Sequence, residues 1–179
     1  MEDVVSRVPA DYRHAYEVGG TLYLRCQSVE DVQQYAAWMK ANGQWRRAVW
    51  NKDVYPRAFF WLAYLAVQEQ DFGRAIEMSD RGLKLAPECS RLATEKAHAL
   101  IRLGRLSEAK QIYEEVLGRD GFVLRHDRAV CLRGKGYVLI EESNLTAAEI
   151  AFRQSLEYEP DSDAALQELC YIEKLRQRA

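Results

Sequence analysis

Nucleophiles and metal-ligand residue types are few and scattered in this chain. The four cysteines, Cys26, Cys89, Cys131 and Cys170, lie far apart with no C-x-x-C pair, and the three histidines are dispersed. A structural zinc site needs ligands at much tighter spacing. No metal is expected, and the thiols read as small buried or half-buried side chains of a reducing compartment, which makes the chain cytoplasmic. His98 and Glu95 are three apart and share a helix face, with Cys131 on a neighbouring helical stretch. Cys131 has no motif around it, and its register points toward packing. Gly134-Lys135-Gly136 lies inside a helical pattern and lacks the other glycines and the Ser/Thr of a phosphate loop. Catalysis requires an acid or base within hydrogen-bond reach of a nucleophile or metal. Neither an enzyme nor a cofactor is expected.

The elements that would position these residues are helical. The chain has 179 residues, 48% of them hydrophobic, enough for one domain with its own core. Its 25 Lys+Arg against 27 Asp+Glu leave a net charge of −2, which excludes the basic surplus expected of a nucleic-acid binder or a membrane-surface protein. Residues 1–9 carry no basic leader followed by an apolar run, so no secretory signal is expected. No stretch reaches the roughly 20 apolar residues of a membrane span.

Alanines open four helical runs, at Ala48, Ala75, Ala109 and Ala148. Ala75 and Ala109 are thirty-four residues apart, the period of one helix-turn-helix repeat. In the best-formed unit, Ser90 caps a first helix with Leu92, Ala93, Ala97, Leu100 and Ile101 on one face, and Gly104 ends it. Ser107 caps a second helix through Ala109, Ile112, Tyr113, Val116 and Leu117, stopped by Gly118. Ala148 follows Ala109 by thirty-nine residues, so a longer loop or an extended first helix is expected near Phe122 to Asp127. Ala48 precedes Ala75 by only twenty-seven, which shortens that unit's second helix before Pro56. Ser28-Val-Glu-Asp31 reads as a capping box starting its first helix.

The small first-helix residues Ala36, Ala63, Ala97 and Gly136, the second-helix alanines, the aromatics Tyr113 and Phe152, and the closing Pro87 and Pro160 together resemble the tetratricopeptide repeat. The resemblance covers roughly residues 29–179 and implies an all-α fold, a right-handed superhelical α-solenoid of antiparallel helix pairs. On that reading residues 1–28 are an irregular helical segment and 29–55 a degenerate shortened repeat. Repeats then span 56–89, 90–123 and, with an insertion, 124–162, and 163–179 form a capping helix.

The resemblance further implies that the first helices line a concave groove. On that register the groove receives Arg57, Phe60, Trp61, Tyr64 and Gln68 from one unit. Arg91, Thr94, Glu95, His98 and Arg102 come from the next, and Arg133, Tyr137 and Glu141 from the third. Arginines interleaved with aromatics suit an extended or helical peptide with apolar anchors and some acidic character. Relatives that clamp the C-terminal carboxylate of chaperones use Lys, Asn and Arg at groove positions. Here those places hold Phe60, Tyr64, Glu95 and Arg133, so chaperone tails are not the expected ligand. The function implied is a protein-interaction scaffold or adaptor whose partner is a protein or peptide, not nucleic acid or membrane. Two alternatives stay open: a dedicated bacterial secretion chaperone or immunity-type protein masking one partner, and a homo-oligomer joined through Trp45, Trp50, Tyr55 and Phe59 in the N-terminal region.

Overall fold

Two adjacent glycines set the beginning of the chain. In the computed structural model, which describes residues 1–26 and 28–178, Gly19 and Gly20 both hold positive φ, 55° and 74°. That pair of left-handed residues is what a two-residue type I′ turn demands. The turn joins strands β1 (Ala15–Val18) and β2 (Thr21–Cys26) in antiparallel register, with Val18 opposite Thr21 and Tyr16 opposite Tyr23. Helix α2 (Val29–Ala41) crosses over, and β3 (Arg47–Lys52) pairs parallel to β2, Thr21 opposite Arg47, giving the order β1-β2-β3. α2 starts on the expected capping box: Asp31 N–H donates to Ser28 Oγ at 3.1 Å and Ser28 N–H donates to Asp31 at 3.2 Å.

The sheet corrects the all-α expectation for residues 15–52. The N-terminal segment, expected to be irregular helix, holds among its described residues the short α1 (Glu2–Val5) and the hairpin. The shortened repeat keeps its first helix as α2, but its second helix, expected at Ala48, is β3. The physical reason is local. Arg47-Ala-Val-Trp-Asn-Lys52 is too short to repay helix nucleation, holds the strand-favouring Val49 and Trp50 at its centre, and lies beside an unpaired edge of β2.

Two units follow from the contacts, Met1–Leu92 and Ala93–Ala179. In the first, α3 (Tyr55–Gln68) opens with Pro56 in its first turn, where a missing N–H is harmless. It pairs with α4 (Phe72–Leu85), capped by Asp71, whose carboxylate accepts Arg74 N–H at 3.1 Å. Ala58, Phe59, Leu62 and Ala63 pack with Met78, Val5 and Leu92, the last from the start of α5 (Ser90–Arg102). All four tryptophans, Trp38, Trp45, Trp50 and Trp61, belong to this unit. In the second unit, α6 (Leu106–Leu117), α7 (Arg125–Glu141), α8 (Leu145–Tyr158) and α9 (Asp163–Arg178) continue the helical pattern. α7 is the extended first helix, 17 residues against 13 in α5. Its Gly136 lets the Phe152 ring approach so closely that an added Cβ would lie 2.7 Å from Cε2. Ala109 and Ala148 are fully buried, as a close helix approach requires.

The tight turn between paired helices passes through a left-handed residue each time: Gln70 at φ 61°, Gly104 at 72° and Ser143 at 60°. Only glycine holds that conformation without strain. Gln70→Gly is therefore expected to raise stability by about 0.5–1 kcal/mol, and Gln70→Val to lower it, both read as shifts of the urea midpoint.

Candidate functional site

The first-helix residues fall into two patches, one in each unit. On α3, Phe60, Trp61 and Tyr64 touch one another. The ring centroids are 5.2 Å apart for Phe60–Trp61, 6.3 Å for Phe60–Tyr64 and 5.7 Å for Trp61–Tyr64, the last edge-on at 88°. Trp61 and Tyr64 are still 40% and 38% exposed, and Leu65 and Arg57 beside them are exposed. Spacing of i, i+1 and i+4 on one helix face brings the three rings together. Two exposed aromatics braced on a half-buried third offer apolar area at little further loss of side-chain freedom, as binding hot spots do.

Two of the expected groove arginines take part in something else. Asp53, only 5% exposed, sits at the end of β3, and its carboxylate accepts Tyr12 Oη–H at 3.5 Å, the long limit of a hydrogen bond. Burial pushes its carboxyl up to about 6; the Tyr12 hydrogen bond and the charges of Arg25, Arg57 and Arg91 only partly offset that. Arg25 Nε donates to the Arg13 carbonyl at 3.0 Å, and its guanidinium lies 5.1 Å from the centre of the Tyr12 ring. Burial pushes the Tyr12 hydroxyl well up, with Asp53 adding to it, and lowers His14, whose Nδ1 is buried without a hydrogen-bond partner. Burial also pushes the Cys26 thiol up to about 12, which leaves it unreactive at neutral pH.

In the second unit the expected residues separate. Arg102 and Tyr137 are exposed, and His98 is half-buried. The Tyr137 hydroxyl is raised by burial and by Glu141, its hydrogen-bond partner, and Glu168, while Arg102 lowers it; the four side chains thus share one surface. Glu95 does not: it is 7% exposed, with His98 Nδ1 at 3.9 Å. Thr94 is buried too, its hydroxyl 3.6 Å from Cys131 Sγ. Arg133 is engaged elsewhere, its guanidinium 2.6 Å from a Glu159 carboxylate that His126 also contacts. Burial would raise the Glu159 carboxyl, but the hydrogen bonds from His126 and Arg133 outweigh it and hold the group below its ordinary range. Thr94, Glu95 and Arg133 are corrections to the expected lining, because α5 and α7 turn those positions into the packed side of the unit.

Sequence reasoning missed two features. One is the polar cluster around Asp53, which needed the hairpin to be recognised first. The other is a groove of about 600 Å³ in the second unit, lined by Lys110 and Leu117 of α6, Leu132 and Lys135 of α7 and Ile150 of α8. Its rim lysines are ion-paired, Lys110 with Glu142 at 2.7 Å and Lys135 with Glu114 at 3.0 Å. The Trp45–Trp50–Tyr55–Phe59 patch is also reduced. Trp45 and Trp50 are exposed, but Tyr55 packs edge-on against Tyr12 and Phe59 is 3% exposed in the core. Among the described residues no three His, Cys, Asp or Glu side chains converge as metal ligands do, and no helix is long and apolar enough to cross a membrane.

Comparison with known proteins agrees with the helical part. Residues 66–122 match the tetratricopeptide repeat. The chain is 32% identical over 104 residues to DnaJ homolog subfamily C member 7 of Homo sapiens, a match covering 58% of this chain and 20% of that protein. It thus spans about a fifth of the curated relatives it matches. The first TPR of Spaghetti (RPAP3), solved with an HSP90 peptide, superimposes with a TM-score of 0.59 at 19% identity, covering 68% of this chain and 93% of that one. The Sgt2 TPR domain from Aspergillus fumigatus gives a TM-score of 0.62 at 16% identity, covering 70% and 81%.

Proposed function

We propose, for a chain that carries tetratricopeptide repeats over residues 66–122, that it is an adaptor whose exposed first-helix faces bind a peptide segment of another protein. The observation that carries this is the pair of exposed rings Trp61 and Tyr64, braced by a Phe60 that is itself half-buried against the core. Aliphatic or aromatic side chains of the partner seat on those rings. In the second unit Arg102 lies among Tyr137, Glu141 and Glu168, so that surface suits a segment of mixed charge better than a purely acidic one.

Several relatives are peptide binders by their descriptions, the RPAP3 and Sti1 domains with HSP90 or Hsp70 peptides among them. A chaperone tail remains the weaker reading here. Of the positions where a carboxylate clamp belongs, Phe60 and Tyr64 are aromatic, Glu95 is a buried acid and Arg133 is paired with Glu159. A homo-oligomer through the N-terminal aromatics is weaker as well, since Phe59 belongs to the core.

The test is affinity capture with the full chain and identification of the partner by mass spectrometry. Binding by the variant carrying Tyr64→Ala and Arg102→Ala is then measured. Affinity is expected to fall by about thirtyfold or more, the effect of losing one or two hot-spot side chains, with the helical circular dichroism intact. Unchanged binding would sink the first-helix reading.

A further inference from the structure

β3 is an edge strand with one side still open. It pairs with β2 and carries α2 on a face, and among the described residues no other element comes against its second edge. The alternation of the parallel ladder fixes which groups lie there. Asp53 N–H donates to the Cys26 carbonyl just past the strand's end, so Asn51, Val49 and Arg47 face β2. The N–H and C=O of Ala48 and Trp50 therefore point away from the sheet.

Such an edge is a template for one more strand unless it is blunted by proline, by a bulge or by charge. Residues 47–52 contain no proline and run in unbroken register with β2. What they contain is charge of one sign: Arg47 and Lys52, both exposed, bracket Ala48-Val-Trp-Asn51. Arg46 just ahead is already paired with Glu17 at 2.8 Å, and the one acid that follows, Asp53, is buried. A second copy of β3 would set these cations against their own kind in a sheet edge that offers no exposed acid. The complementary occupant is an extended segment with carboxylates flanking an apolar centre; the Trp50 indole lies toward β2, its Nε1–H donating to the Cys26 carbonyl at 3.0 Å, and leaves the open edge clear.

We propose that β3 takes an extended, acidic-flanked segment of a partner protein as an added strand along its open edge. Main-chain hydrogen bonds to Ala48 and Trp50 supply the affinity, and Arg47 and Lys52 select the charge of the flanks. The surface is separate from the first-helix faces, so it stands or falls independently of them.

The probe is a synthetic peptide, Glu-Glu-Thr-Val-Thr-Val-Glu-Glu, compared with the same centre flanked by lysines, each titrated into the isotope-labelled full chain. Acidic-flanked peptide is expected to slow hydrogen exchange at the Ala48 and Trp50 amides by about tenfold or more. Added salt weakens its binding, and the lysine-flanked peptide has no such effect. Exchanging the two cations, Arg47→Glu with Lys52→Glu, reverses the preference. Three outcomes overturn the proposal: exchange at Ala48 and Trp50 that does not respond to the acidic peptide, an equal response to both peptides, or protection that rises with protein concentration alone. The last would assign the edge to a second copy.

Discussion

Asp53→Asn is expected to stabilise the first unit by about 2–3 kcal/mol at neutral pH and to leave it nearly unchanged near pH 4. The sign follows from the direction of the shift. Burial lifts the Asp53 carboxyl from 3.8 to about 6 in the folded chain. The folded state therefore holds the proton more tightly than the unfolded one. Its stability is greatest below the ordinary value and declines as pH rises through the folded value, after which the loss is complete. Asparagine keeps the shape of the protonated acid and never ionises, so the difference between variant and parent opens across that window. His14 works in the opposite sense, because burial lowers it and protonation at falling pH then favours the unfolded chain. It is present in both proteins and cancels from the difference. Glu149 and Glu159, both held low by their Arg or His partners, also lose their contribution as pH falls, but they lie in the second unit. Tryptophan fluorescence isolates the relevant transition, since all four indoles belong to the first unit. A variant less stable than its parent at neutral pH would mean that the attraction of Arg25, Arg57 and Arg91 outweighs the burial.

Gly134→Ala is the second large effect, a loss of about 3 kcal/mol in the second unit. A Cβ at this position would lie 2.3 Å from Cζ and 2.6 Å from Oη of Tyr113. Tyr113 is fully buried, so the ring cannot yield without disturbing the core around it. The same tyrosine carries a buried hydroxyl with no hydrogen-bond partner, and an unsatisfied polar group is worth about 1–3 kcal/mol against the fold. Tyr113→Phe alone is accordingly expected to be neutral or stabilising, and in the Gly134→Ala background it recovers part of the loss by removing the oxygen from the crowded site. Urea unfolding of the four proteins, followed by circular dichroism, closes the cycle. Additivity of the two changes would show that alanine at position 134 does not crowd the ring.

The helical part was legible because helix pairing leaves a regular trace. Ala75 and Ala109 can only be small where two helices touch, and the glycines and prolines mark where each helix stops. The surplus before Ala148 was expected near Phe122 to Asp127 as a longer loop or an extended first helix, and α7 has 17 residues against 13 in α5. The sheet was legible too, but by a different period. Tyr16-Glu-Val-Gly-Gly-Thr-Leu-Tyr-Leu24 carries a glycine pair between strand-forming residues, a hairpin signal that a search at helical spacing reads across. β3 was the harder element. Its partner is a strand far upstream, and Ala48 happens to match the alanine position of a repeat. At the candidate site, the exposure of Trp61 and Tyr64 on α3 follows from helical phase, while Phe60 is half-buried against the core. The burial of Glu95 and the pairing of Arg133 with Glu159 do not follow from phase, because both depend on neighbours contributed by other helices.

The crossover that joins β2 to β3 has a consequence for the order of assembly. A paired helix such as α4 finds its mate across a turn of a few residues, and the β1–β2 hairpin closes over two glycines. β3 reaches β2 only after all of α2 has intervened, so the parallel ladder closes a longer loop than any of those pairings. In a chain being synthesised, the hairpin therefore leaves the ribosome as a two-stranded ribbon, marginal by itself, with the β2 edge open until Lys52 has followed. The last strand to join this sheet thus enters it as an edge, with one side still free.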